Sequence, residues 1–271
     1  MSLPPFLYGT AWKEDATAGL VQKALAAGFR GIDTANQRKH YHEAGVGEAL
    51  LAAREKGIRR EDLFLQTKFT SLGGQDHRLP YDPSADPAAQ VRQSFRSSLD
   101  HLHTDHLDSY VLHGPSTRRG LSPEDWAVWG AMEELHREKV TRLIGVSNVS
   151  AEQLELLCAK AAVKPAMVQN RCFAVRGWDR EVRAICRAHG VVYQGFSLLT
   201  ANLDVLQDPL FREIHERTGA GLAPIVFRFA RQVGMLPLTG TTDPQHMKED
   251  LECDRFTLTD DEVRRIEAVA G

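Results

Sequence analysis

Residues 28–50 read GFRGIDTANQRKHYHEAGVGEAL: a short apolar run carrying Phe29 and Ile32 ends in Asp33, a polar loop follows, and a helical segment begins near Glu43. A carboxylate just past a strand and ahead of a helix sits at the strand's carboxyl end, where α/β folds gather their chemistry. Tyr41, eight residues beyond Asp33, falls in that loop. Taken alone, such a pair is more often a helix cap and a packed aromatic than an active-site acid and phenol, so the rest of the chain has to decide.

The pattern set by Phe29 to Ala35 recurs along the chain. Further β-rich runs occupy Leu63 to Phe69, Leu107 to His113, Leu143 to Asn148, Met167 to Cys172, Val191 to Leu199 and Met235 to Gly240. Between them lie stretches of helical length and period, with Val91, Phe95, Leu99 and Leu102 on one face and Trp126, Trp129, Met132 and Leu135 on another. Capping-box spacing marks helix starts at Ser122 with Asp125, Ser150 with Gln153, and Thr259 with Glu262. Strict alternation of this kind implies a parallel sheet with helical crossovers. Seven runs in 271 residues, with no linker or internal repeat, predict one domain spanning 1–271. The fold class expected is α/β, a (β/α)8 TIM barrel, which typically needs about 250 residues. The eighth strand is placed in the weak run Phe256 to Leu258.

Composition narrows the function. With 42% hydrophobic and 25% charged residues the chain has ordinary globular composition, and a net charge of −3 gives no reason to expect nucleic acid or an acidic membrane as partner. The longest apolar runs fall far short of the roughly 20 residues of a membrane span, and the opening Met-Ser-Leu-Pro-Pro has no signal-like character, so a cytoplasmic location is expected. Cys158, Cys172, Cys186 and Cys253 show no close pairing and read as small buried residues. His101, His103 and His106 lack a convergent carboxylate, so no metal is expected.

In a barrel the strand ends form one mouth. Asp33, Lys68, His113, Ser147, Asn148, Gln169, Asn170, Ser197 and Thr239 would all reach it. Lys68 closes its strand and is read as the ion-pair partner of Asp33. A nearby ammonium stabilises a phenolate, so Lys68 is expected to lower the pKa of Tyr41 from about 10. Tyr41 could then give and take a proton, with His113 orienting a carbonyl oxygen. A positioned acid contributes typically 10²–10⁴-fold, and carbonyl reduction also requires a hydride source.

Four stretches carry a resemblance along nearly the whole chain: Ile-Asp-Thr-Ala with Val-Gly-Glu-Ala-Leu (32–35 and 46–50), Leu-Gln-Thr-Lys-Phe (65–69), Ile-Gly-Val-Ser-Asn (144–148) and Lys-Pro-Ala-Met-Val-Gln (164–169). In these the chain resembles the aldo-keto reductases. The resemblance implies a barrel that reduces aldehydes or ketones to alcohols with a nicotinamide cofactor, Asp33, Tyr41, Lys68 and His113 being catalytic and Tyr41 the proton donor. It places Ser147, Asn148 and Gln169 on the nicotinamide carboxamide and Phe196, usually a tyrosine, under the ring. Ser197, Leu199, Thr239, Gly240, His246, Glu249 and Asp250 fall where the family contacts the rest of the cofactor. Trp12, within Gly9-Thr10-Ala11-Trp12, falls with His113 at the substrate pocket.

Three departures qualify what the resemblance implies. The family's tyrosine usually follows the aspartate by five residues, where this chain has Arg38, and counting back from Glu43 reaches His40; a bulged insertion would return Tyr41 to the site. The Lys-Ser pair and helix arginine typical of NADP-preferring members are replaced by Leu238-Thr239 and His246, with Glu249 and Asp250 nearby. NADP(H) remains the family expectation, and the missing cations leave NAD(H) or dual use open. Short loops imply an open pocket for a small-molecule carbonyl substrate, with Thr70 to Asp86 supplying part of its wall. The chain is expected to act as a monomer or weak oligomer. Rival readings are a catalytically silent nicotinamide-binding sensor or partner subunit, and a Lys68 Schiff-base lyase, which needs a neutral amine.

Overall fold

A computed structural model describes residues 3–270; Met1, Ser2 and Gly271, at the ends of the expected 1–271 unit, lie outside the described residues. In chain order the elements are β1 (Leu7–Gly9), α1 (Thr17–Ala27), β2 (Gly31–Asp33), α2 (Glu43–Glu55), β3 (Phe64–Phe69), α3 (Pro87–Leu102), β4 (Leu107–Leu112), α4 (Pro123–Arg137) and β5 (Thr141–Ser147). Then follow α5 (Ala151–Lys160), β6 (Met167–Arg171), α6 (Arg180–His189), β7 (Val192–Phe196), α7 (Pro209–Thr218), α8 (Leu222–Gln232), β8 (Met235–Thr239), α9 (Pro244–Leu251) and α10 (Asp260–Ala268). The strands form a closed parallel barrel in sequential order from β1 to β8.

Closure corrects one expectation. The eighth strand is β1, which pairs with β2 through Leu7 and Gly31 and with β8 through Leu7 and Leu238. Phe256 to Leu258 pairs with no strand; Leu258 instead exchanges backbone hydrogen bonds with the Gln232 side chain at the end of α8. Three residues are too few to display alternation, which hid β1 behind Pro4 and Pro5.

The opening stretch folds as its residue types dictate. Gly28 terminates α1 in the left-handed region at φ 118°, open to glycine at no steric cost. The chain then turns through buried Phe29 into β2. All three predicted capping boxes form, at Ser122, Ser150 and Thr259. Gly47 lets α2 approach the end of α3, since a Cβ there would meet the His101 carbonyl oxygen at 1.8 Å.

Two apolar regions hold these elements. The larger lies between strands and helices and includes Trp129, Phe95, Tyr110 and Phe229. The smaller, of Leu7, Phe64, Met167 and Leu236, plugs the barrel interior near the strands' amino ends. Two residues further along the same strand faces, the interior turns polar with Asp33, Gln66, Gln169 and Gln194, all buried. The period of two thus stacks an apolar floor beneath a polar layer that opens at the mouth.

The segment after β3 behaves differently from expectation. It is tied down by the Tyr81 hydroxyl, which donates to the Thr70 carbonyl at 2.8 Å, and by Gln37 Nε2, which donates to the Gly74 carbonyl at 2.6 Å. In the turn at Arg59 to Asp62, Arg60 reaches the buried Asp108 carboxylate at 2.8 Å. All four cysteines are free and buried. Among the described residues no helix is long and apolar enough to cross a membrane.

Candidate active site

Asp33 ends β2 and Lys68 sits one residue before the end of β3, so their side chains meet inside the barrel. Lys68 Nζ donates to Asp33 Oδ1 at 2.8 Å, to Oδ2 at 2.7 Å and to the Thr34 carbonyl at 2.8 Å, filling its three donor positions. Asp33 Oδ1 also accepts from Gln66 Nε2 at 2.8 Å and Gln169 Nε2 at 3.0 Å. Gln194 Oε1 accepts from those two amides at 2.7 and 2.9 Å, completing the polar layer. The pair is buried, Lys68 completely and Asp33 nearly so, and fully hydrogen-bonded, the condition under which a buried ion pair persists.

Burial pulls the Lys68 pKa down, but Asp33 and then Tyr41 push it up by more, and the net direction is upward. Lys68 therefore remains an ammonium. Its Nζ lies 5.1 Å from the centroid of the Tyr41 ring, and the Tyr41 and His113 rings meet edge-on at 5.9 Å. The bulged loop thus brings Tyr41 to Lys68 and His113. His40 lines the same cavity, but its ring packs, tilted, against the exposed Trp12 with ring centroids 4.0 Å apart.

One electrostatic expectation is reversed. Burial raises the Tyr41 pKa and outweighs the lowering by Lys68, with Asp33 adding a further upward push. Desolvation of a phenolate wins over a single ammonium whose charge the adjacent carboxylate largely cancels. His113 moves down to about 3, through burial first and then the Lys68 and His40 charges, so its imidazole is neutral. Its Nδ1 lies 2.7 Å from the Thr70 hydroxyl.

A cavity of about 1190 Å³ opens over this group. The site residues predicted above line it except Lys68, which lies beneath the surface, and Asn170, whose side chain is drawn instead to the Val149 backbone and the Asp179 carboxylate. Thr70 to Asp86 supplies none of the lining, because its anchors draw it beside the mouth; the start of α8, from Gly221 to Pro224, contributes instead. Ser147 Oγ donates to the Gln169 carbonyl at 2.6 Å and Asn148 Nδ2 to the His113 carbonyl at 2.8 Å. These side chains have spent their donors, while Asn148 Oδ1 and Gln169 Oε1 carry no hydrogen bond among the described residues. Two free amide oxygens fit a ligand that brings N–H groups, as a carboxamide does. Phe196 offers a ring at the end of β7, with the Arg171 guanidinium 5.6 Å from its centroid.

At the β8 side Thr239 donates to the buried Asp250 carboxylate at 2.8 Å, and burial raises that carboxyl to about 6. Sequence reasoning missed several residues here. Lys13 donates to the Gly240 carbonyl at 2.7 Å, and burial lowers its pKa to about 8. Nothing in the local pattern marks Lys13 or Arg171, but Gln66 and Thr70 flank Lys68 at a spacing of two on β3 and just beyond it. Gln194 stands likewise two before Phe196, so the strand period could have found all three. Among the described residues no group of three or more His, Cys, Asp or Glu is placed to hold a metal ion.

The sequence model described as the Aldo/keto reductase family matches residues 7–270. The chain is similar to the Bacillus subtilis protein named "Uncharacterized oxidoreductase YtbE", at 30% identity over 272 residues that cover 99% of this chain and 90% of that one. It is similar to the crystal structure of an aldo/keto reductase from Brucella melitensis, with TM-score 0.82, 27% identity and coverage of 98% and 95%. A Bombyx mori aldo-keto reductase in complex with NADP shares the fold, with TM-score 0.83, 23% identity and coverage of 99% and 90%.

Proposed function

We propose that this chain, which belongs to the aldo/keto reductase family, is an oxidoreductase that reduces aldehydes or ketones to alcohols, with Tyr41 as proton donor. The observation that carries the reading is the convergence of Tyr41, Lys68, Asp33 and His113 beneath one cavity that also presents Phe196 and two free amide oxygens. Family membership supports a nicotinamide cofactor, and the Bombyx mori neighbour is described in complex with NADP.

Ser147, Asn148 and Gln169 would hold the carboxamide and Phe196 the ring, while the hydroxyls and acids around Thr239 and Asp250 would meet the adenosine end. The bound cofactor supplies a hydride to the carbonyl carbon. As the carbon–oxygen double bond opens, negative charge gathers on the oxygen, where Tyr41 delivers its proton and neutral His113 donates a hydrogen bond. Lys68 then stabilises the phenolate that remains, and Asp33 keeps Lys68 charged and in place. Holding both reactants in one cavity removes the entropic cost of their encounter. The raised Lys68 pKa argues against a Schiff-base role, for which a neutral amine is required.

The test is oxidation of NADPH and of NADH by the purified protein with a reactive aromatic aldehyde, beside Tyr41→Phe. Turnover in the variant is expected to fall about 10²–10⁴-fold with cofactor affinity unchanged. Since Tyr41 lies above the ordinary phenol value of 10, the wild-type reduction rate should hold through neutral pH and decline only above that value. A variant as fast as the wild type would remove Tyr41 from the reaction and turn attention to His40.

A further inference from the structure

Thr70 is the first residue beyond β3, and its buried hydroxyl has His113 Nδ1, at 2.7 Å, as its one hydrogen-bond partner among the described residues. Both partners are fixed independently of that contact. The Thr70 carbonyl accepts from the Tyr81 hydroxyl at 2.8 Å and from Gln75 Nε2 at 3.3 Å. His113 donates its backbone N–H to the Phe69 carbonyl at 2.8 Å and accepts from Asn148 Nδ2 at its own carbonyl, also at 2.8 Å. With the main chain held on both sides, the freedom left to the imidazole is its orientation and its tautomer.

A neutral imidazole donates at one nitrogen and accepts at the other, and the partner of one sets the role of the second. Were the hydrogen on Nδ1, the Thr70 hydroxyl would have to accept it. Its own hydrogen would then be buried with no acceptor, an arrangement folded proteins avoid. Nε2 would face the cavity as a bare lone pair and repel a carbonyl oxygen. With the hydrogen on Nε2 both groups are satisfied, because Thr70 donates to Nδ1 and Nε2–H points outward to a carbonyl.

We propose that Thr70 is a positioning residue, its hydroxyl donating to His113 Nδ1 and so holding the imidazole in the tautomer that presents Nε2–H to the substrate oxygen. What Nε2–H meets rests on the carbonyl-reduction reading; the tautomer itself does not. The loop anchored by Tyr81 and Gln75 then acts on the reaction through Thr70 without lining the cavity.

The experiment records nitrogen-15 histidine spectra of the wild type, Thr70→Val and Thr70→Ser, with His113→Gln identifying the His113 signals. The wild type and Thr70→Ser should show hydrogen on Nε2, and Thr70→Val a mixture of tautomers. With NADPH and an aromatic aldehyde, kcat of Thr70→Val should fall about tenfold, a change of one decade in rate, with KM for NADPH unchanged and most of the rate restored in Thr70→Ser. Hydrogen on Nδ1 in the wild type overturns the proposal without any variant, and so does a Thr70→Val protein with wild-type tautomer and kcat. A wild type that turns over no carbonyl yet loses its Nε2–H pattern in Thr70→Val would leave the tautomer assignment standing and remove the reductase reading alone.

Discussion

At the ends of β2 and β3, Asp33 and Lys68 face each other with every donor of the lysine used and both charges buried. At the end of β8 and along α9, by contrast, Thr239, His246, Glu249 and Asp250 offer one hydroxyl, one imidazole and two carboxyls to the same cavity. The first group is complete without a ligand, while the second presents acids where a phosphate-bearing ligand would prefer cations. On the proposed reading, the group at β2 and β3 would be organised in advance, and the β8 side would discriminate only weakly between NADP and NAD.

The comparison breaks if the Asp33–Lys68 group can be opened cheaply. Asp33→Ala strands a buried ammonium and should cost about 3–5 kcal/mol, read as a lowered midpoint in urea unfolding. Most of that loss should return when Lys68→Met removes the charge as well. A single variant as stable as the wild type would mean that solvent reaches Lys68 after all.

A smaller effect is expected at Asp250. Its folded pKa of about 6 stands above the ordinary carboxylate value of 3.8, so the fold favours the protonated acid. That stability is present below about pH 4 and is lost as pH rises through about 6. Relative to Asp250→Asn, the wild type should weaken across this window by on the order of 2–3 kcal/mol, visible as diverging thermal midpoints. Parallel curves would place the carboxylate in a wetter site than its burial implies.

The mildest change sharpens the contrast directly. Leu238→Lys puts a cation among the acids and should tighten NADPH about tenfold, near 1.4 kcal/mol, while leaving NADH nearly unchanged. Fluorescence titration with both cofactors would read it, and equal shifts for the two would show that residue 238 does not meet the 2′-phosphate.

How far the sequence carries can be judged residue by residue. Six of the seven predicted strand runs contain their observed strand whole, and the seventh, Leu143 to Asn148, holds all of β5 but its first two residues, Thr141 and Arg142. The residues expected at the mouth do line one cavity, with Lys68 just beneath, except Asn170, which bonds to Val149 and Asp179 instead. β1 was illegible because three residues make no pattern, and Phe256 to Leu258 misled because a short apolar run carries no record of its partner, here the Gln232 side chain.

Amino-acid order by itself determined the alternation of strand and helix, the capping boxes and the identity of the polar residues at the strand ends, since these depend on period and on neighbours a few positions apart. Tertiary structure alone decided that Tyr41 and not His40 turns toward Lys68, that burial outweighs the ammonium at the phenol, and that Thr70 meets His113. Each of these depends on distances and desolvation among residues far apart in the chain, which exist only once the barrel has closed.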